Sequence, residues 1–124
     1  MLRHDVIQSE NFRNLTSKAV KLLVDIGSQY RGNNNGDLCA SWTIMEKKGW
    51  KSRATLHAAL NELLYYGFIV KTRQGGRNRC NLFALSWDAI HDCDGKLDVP
   101  PKIVPSNEWK EVKPLFGSVE GLAA

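Results

Sequence analysis

A chain of 124 residues, 43% hydrophobic and 24% charged, has the composition of one globular domain whose core needs no disulfide or metal staple. No stretch approaches the roughly 18 apolar residues of a membrane span, and the start, MLRHDVIQSENF, has no apolar core of leader-peptide length, so a cytoplasmic protein is expected. The net charge of +4 is modest but unevenly placed: residues 47–79 hold Lys47, Lys48, Lys51, Arg53, Lys71, Arg73, Arg77 and Arg79 against one acid, Glu62.

In chain order, NFRNLTSKAVKLLVDIGSQYRG reads as a helix, with Thr16 or Ser17 able to cap it and Leu15, Ala19, Leu22, Leu23 and Ile26 at helical spacing. Gly32 and the NNNG run at 33–36 break it. DLCA suits one short strand. Ser41 then offers an N-cap to a second helix, WTIMEKKG, which Gly49 closes. In the third helical stretch, WKSRATLHAALNELLYYGF, Ser52 is the cap, Leu56, Leu60, Leu63 and Leu64 form the apolar stripe, and Gly67 is the stop. FIVKT and CNLFALSW are strands either side of the loop RQGGRNR. The expected fold is α+β, a winged helix-turn-helix of three helices, a short strand and a β-hairpin wing.

The boundaries expected are a domain over 1–98 and a C-terminal tail over 99–124. The tail carries all four prolines and little periodicity, so limited regular structure is expected there. Trp109 and Phe116 are unusual in a purely disordered tail; they would either pack back on the domain or dock on a protein partner.

The third helix carries the first functional expectation. Stepping about 100° per residue from Leu56, the side facing away from the stripe holds Ala54, Ala58, Asn61 and Tyr65, with Arg53, Thr55 and His57 on its edges. Small residues on that face would let the helix seat in the DNA major groove, where Asn pairs with adenine and Arg with guanine. Arg53, Thr55, His57 and Asn61 are the candidate base or phosphate contacts. Lys51 and Ser52 lead into the first turn, whose free backbone N–H groups favour anions. A plain solvated surface would explain any one of these residues about as well; the group favours recognition.

The hairpin carries the second. A turn at Gly75-Gly76 needs no cations, yet Lys71, Arg73, Arg77 and Arg79 surround it and must repel one another. As a wing, the loop would lay these four on phosphates while Gly75 and Gly76 allow close approach. Lys47 and Lys48 would extend the stripe. The plainer alternative is a solubilising turn that protects a sheet edge.

The run NNNGDLCASWTIMEKKGWKSRATLHAALNELLYYGFIVKTRQGGRNRCNLFALSW resembles the small winged-helix proteins carried by bacterial prophages, plasmids and integrative elements. It is also similar to the winged domains of plasmid and phage replication initiators. The resemblance covers about residues 12 to 98, with NNGDL, GW.S..TL, L...GFI and TRQGG as its most specific pieces. It implies a DNA-binding winged helix with Arg53, Thr55 and His57 on the reading helix and Arg73, Arg77 and Arg79 on the wing.

Catalytic and metal signatures are weak. Cys39, Cys80 and Cys93 are odd in number and lack framework spacing, so free thiols are expected. His91, Asp92 and Cys93 adjoin, but no second ligand pair is offered for zinc. DCDGKLD lacks the closing Glu of a calcium loop, and no phosphate-binding glycine loop ends in Lys-Ser/Thr. Trp42, Trp50, Phe68, Phe83 and Trp87 read as core and seams. No enzyme, metal or cofactor is expected. The expected function is sequence-specific binding of double-stranded DNA, most plausibly as a transcriptional repressor of a mobile element, with replication initiation or maintenance as the runner-up. A homodimer reading half-sites about 34–36 Å apart would add specificity. The rival from another class is a protein-interaction module whose tail supplies Trp109 and Phe116.

Overall fold

The computed structural model describes residues 3–76, 80–91, 93, 97–99 and 105–116. These form five helices and a three-stranded antiparallel sheet, an α+β arrangement. The helices are α1 His4–Ile7, α2 Glu10–Arg13, α3 Ser17–Gly27, α4 Trp42–Glu46 and α5 Arg53–Tyr66. The strands are β1 Leu38–Cys39, β2 Ile69–Arg73 and β3 Leu82–Leu85, and a turn of 3-10 helix spans Glu108–Lys110.

The first long helix is shorter than its periodicity predicts, and the cap explains why. Thr16 is extended, its hydroxyl accepts from the Ala19 N–H, and α3 starts only at Ser17. The residues before it fold as two single turns, α2 being capped by the Ser9 hydroxyl, which accepts from the Phe12 N–H. Helix α4 is where Ser41 predicts it, but the Ser41 side chain makes no capping hydrogen bond. Ser52 does cap α5, accepting from the Thr55 N–H at 3.2 Å.

The core lies between α3, α5 and the sheet. Leu22, Leu23 and Ile26 meet Leu56, Leu63 and Tyr66, with Phe68, Phe83 and Trp87 beneath. Burying each such side chain fully is worth about 1.5–3 kcal/mol. Strand β3 is central: Leu38 of β1 lies opposite Phe83, and Ile69 of β2 opposite Leu85. The outer edge of β1 is closed by the Gln29 amide, which donates to the Cys39 carbonyl and accepts from the Cys39 N–H at 2.7 and 2.9 Å.

One buried side chain aligns the sheet with the loops at its end. The Asn35 amide donates to the Leu85 and Ala89 carbonyls at 3.0 and 2.8 Å and accepts from the Leu85 N–H at 2.8 Å. His91 Nδ1 accepts from the Asn35 N–H, and the His91 N–H donates to the Asn35 carbonyl. The Cys93 thiol turns to that same carbonyl, so His91 and Cys93 both serve this loop; Asp92 lies outside the described residues. Among the described residues no three potential ligands gather for a metal, and no helix is long and apolar enough to cross a membrane. Cys39, Cys80 and Cys93 are not in disulfides, and burial together with the neighbouring Cys39 thiol pushes the Cys80 thiol up from its ordinary value.

Of the expected tail, residues 105–116 are described, and they pack against the domain. Trp109 is 5% exposed and packs in the core. The Asn11 amide donates to the Trp109 and Glu111 carbonyls and accepts from the Lys113 N–H at 3.1 Å. Helix α5 ends under this segment at Gly67, whose φ is +79°, and a Cβ there would lie 2.7 Å from the Glu108 carbonyl carbon. Gly49, at φ +100°, has open space around it. Gly49→Ala should therefore cost only the left-handed backbone penalty of about 1–2 kcal/mol. Gly67→Ala should cost more, because Glu108 must move as well; urea unfolding of the two variants side by side checks the order.

Candidate nucleic-acid interface

Helix α5 is oriented by polar contacts on its inner side. Glu62, 6% exposed, accepts from the Thr16 N–H at 2.7 Å with one carboxylate oxygen and from the Thr16 hydroxyl at 3.0 Å with the other. The lone acid of segment 47–79 is thus turned into the protein, so the outer face of α5 carries no carboxylate. At the helix entrance, the Trp50 indole N–H donates to Asp25 at 2.8 Å, which fixes the turn between α4 and α5.

On the outer face Arg53, Ala54, His57, Ala58 and Asn61 are all exposed. Thr55 is half-buried. Tyr65, expected on the same face, is covered by the tail: its hydroxyl donates to the Pro114 carbonyl at 2.8 Å and its ring lies 5.2 Å from Phe116. The open face is therefore the first two to three turns of the helix, with Phe116 as its border.

Lys51 and Ser52 are exposed at the start of α5 and Lys47 is exposed at the end of α4. Lys48 is half-buried, with its ammonium 3.5 Å from the Ser28 hydroxyl and its carbonyl accepting from Lys21. The structure adds cations that the linear reading missed. Lys18 and Lys21 of α3 line a cleft of about 320 Å³ with Trp50, Lys51, Ser52 and Thr55. Their ammonium groups stand 6.0 and 5.3 Å above the Trp50 ring. Lys21 is neutralised by Asp25 at 2.7 Å; Lys18 has no carboxylate within salt-bridge distance among the described residues. The available signal was the spacing of two lysines three apart on α3, beside its apolar stripe.

The hairpin lies on the other side of α5. A cleft of about 360 Å³ runs between Ser41, Leu60 and the loop residues Gly75, Gly76, Cys80 and Asn81. Lys71 is exposed, 3.0 Å from the Gln74 side-chain oxygen. Arg73 behaves differently from its neighbours. A bulge between Lys71 and Arg73 brings it opposite Leu82, where it is half-buried and donates to the Cys80 carbonyl at 3.0 Å. As placed, Arg73 braces the base of the loop. Gly75 donates its N–H to the Asn81 side chain, and Gly76 is exposed with open space around it. Arg77 and Arg79 lie outside the described residues.

Trp42 lies at the edge of the core, packed against its cluster. Trp50 and Trp87 are buried, but Trp42 is only half-buried, and its ring faces the Arg53 guanidinium at 5.5 Å. The open face of α5 thus has Arg53 at its start, Asn61 at its end and small residues between, with exposed cations on both flanks. No known protein family, curated protein or solved structure matches the chain.

Because Glu62 both caps α3 and holds α5 in place, Glu62→Ala should destabilise the fold by about 1–3 kcal/mol through the orphaned Thr16 N–H. Glu62→Gln, which keeps one acceptor, should cost less. Chemical denaturation with both variants measures the difference.

Proposed function

We propose that the protein binds double-stranded DNA in the manner of a winged helix-turn-helix, with α5 in the major groove and the β2–β3 hairpin along the adjacent backbone. The observation that carries this reading is the acid-free outer face of α5, where Arg53, His57 and Asn61 stand exposed around Ala54 and Ala58. A major groove about 12 Å wide admits such a helix, and its small residues allow close approach. Asn61 would pair with an adenine edge and Arg53 with a guanine. Lys18, Lys47, Lys51 and Lys71 would lie on phosphates, and Arg77 and Arg79, which follow Gly76 in sequence, would add to them. Lys48 and Arg73, tied to carbonyl and hydroxyl groups of their own chain, would contribute less.

Regulation by occupancy follows from this chemistry: a protein seated on a promoter excludes other proteins from it. Repression of a mobile element's own promoter is the role proposed first, and an origin-binding role would differ only in where the sites lie. The interaction-module reading needs the tail's aromatic residues free. Trp109 is buried in the core and Phe116 packs on Tyr65, which favours the DNA reading.

Affinity for random-sequence duplex should fall steeply with salt, as log K against log salt falls by about 0.9 per phosphate neutralised. Lys51→Ala/Lys71→Ala should make that slope shallower by about 2 and weaken all sequences alike. Asn61→Ala should instead relax one base-pair position by about 1–3 kcal/mol. Fluorescence anisotropy across a salt series checks both. An absence of binding at low salt would sink the proposal.

A further inference from the structure

Trp42 packs one side of its ring against the core and meets Arg53 with the part left at the surface. The other rings beneath cations, Trp50 and Trp109, are buried in the core, and their lysines lie over sites the fold already requires. Trp42 keeps part of its ring at the surface, at the first position of α4, and there it meets the first residue of α5. Arg53 is exposed and makes no hydrogen bond or ion pair among the described residues. Its guanidinium lies 5.5 Å from the centre of the Trp42 ring, and among the described residues its N–H donors have no hydrogen-bond partner.

That arrangement suits recognition. A guanidinium against an aromatic ring uses its face for the cation–π contact and leaves its five donors pointing outward in a fixed fork. The fork matches O6 and N7 of guanine in the major groove, and the start of a reading helix is where such contacts are made. A free arginine must give up rotamer entropy to be fixed, so a ring that holds it beforehand raises discrimination without touching DNA. We propose that Trp42 is a positioning residue that presets Arg53 for a guanine at one base pair of the target. This rests on the duplex-binding reading above.

The test uses the full chain and a duplex site selected from a random pool, then single base-pair variants of that site. Wild type should discriminate for guanine at one position by about 5- to 150-fold, and Arg53→Ala should flatten that position alone. Trp42→Leu should reduce discrimination at the same position by about 2- to 5-fold, Trp42→Phe should restore most of it, and Trp42→Leu should add nothing to Arg53→Ala. In the DNA-free protein, the ring-current shift of the Arg53 side-chain protons should vanish in Trp42→Leu and persist in Trp42→Phe. Uniform weakening by Trp42→Leu, or an unchanged guanine position, would reduce Trp42 to a packing role and overturn the inference alone. Uniform weakening by Arg53→Ala with a shallower salt slope would assign Arg53 to a phosphate and overturn it too. Failure of wild type to bind any duplex would overturn the DNA reading and this inference together, even if the ring-current shift were present.

Discussion

The structure turns on one buried carboxylate. Glu62 sits in the middle of α5, on its inner face, and both its oxygens are engaged by the N-cap residue of α3. The Thr16 hydroxyl in turn accepts from the Ala19 N–H, so a short hydrogen-bonded chain runs from the interior of one helix into the first turn of the other. A negative charge at that point also complements the positive end of the α3 dipole. Leucine packing alone would let two helices slide or rotate by fractions of a turn, since apolar contact has no direction. The carboxylate supplies the direction. It sets which side of α5 faces outward, and at the same time it removes the only acid from the basic stretch that side belongs to.

Asn35 plays the matching part for the sheet. Its amide is saturated by the backbone at residues 85–89, so the loop before β1 and the loop after β3 are one unit. Thr72 of β2 ties into the same region by donating to the Gly36 carbonyl at 2.6 Å. The hairpin therefore projects from a base held by buried polar groups, each costly to leave unpaired. The position of Gly75 and Gly76 beside Ser41 and Leu60 depends on that base.

What could be read from the sequence was local. Ser52, the leucine stripe and Gly67 mark α5 because a cap, a periodicity and a stop act within a few residues of one another. The strands flanking the Gly75-Gly76 loop were legible for the same reason. The outward placement of Arg53, Ala54, His57, Ala58 and Asn61 followed from helical geometry once Leu56 was taken as buried. Helix α1 left no signal, since four residues are too few for a period to show, and α2 was read as the start of α3 because the break at Thr16 is not periodic. Nothing local marked Asn11 as the partner of residues 109–113, or Asn35 as the partner of residues 85–91. The inward turn of Arg73 came from a bulge that alternation does not encode. Lys18 and Trp42 gained their meaning only when α3 and α4 were set beside the start of α5.

The attachment of residues 107–113 has a consequence for how the chain acquires its shape. Asn11 and its tail partners are about a hundred positions apart, and Gly67 is covered by a segment some forty positions downstream. Such distant contacts slow folding, because the loop they close must form before they can stabilise anything. During synthesis, the helices and the hairpin emerge well before the strap that completes their core. In that interval the seat of Trp109 is an open apolar notch beside the end of α5. A nascent chain of this protein is thus exposed to mispairing until its last quarter arrives, and a truncation short of Trp109 would leave that notch open in the finished protein.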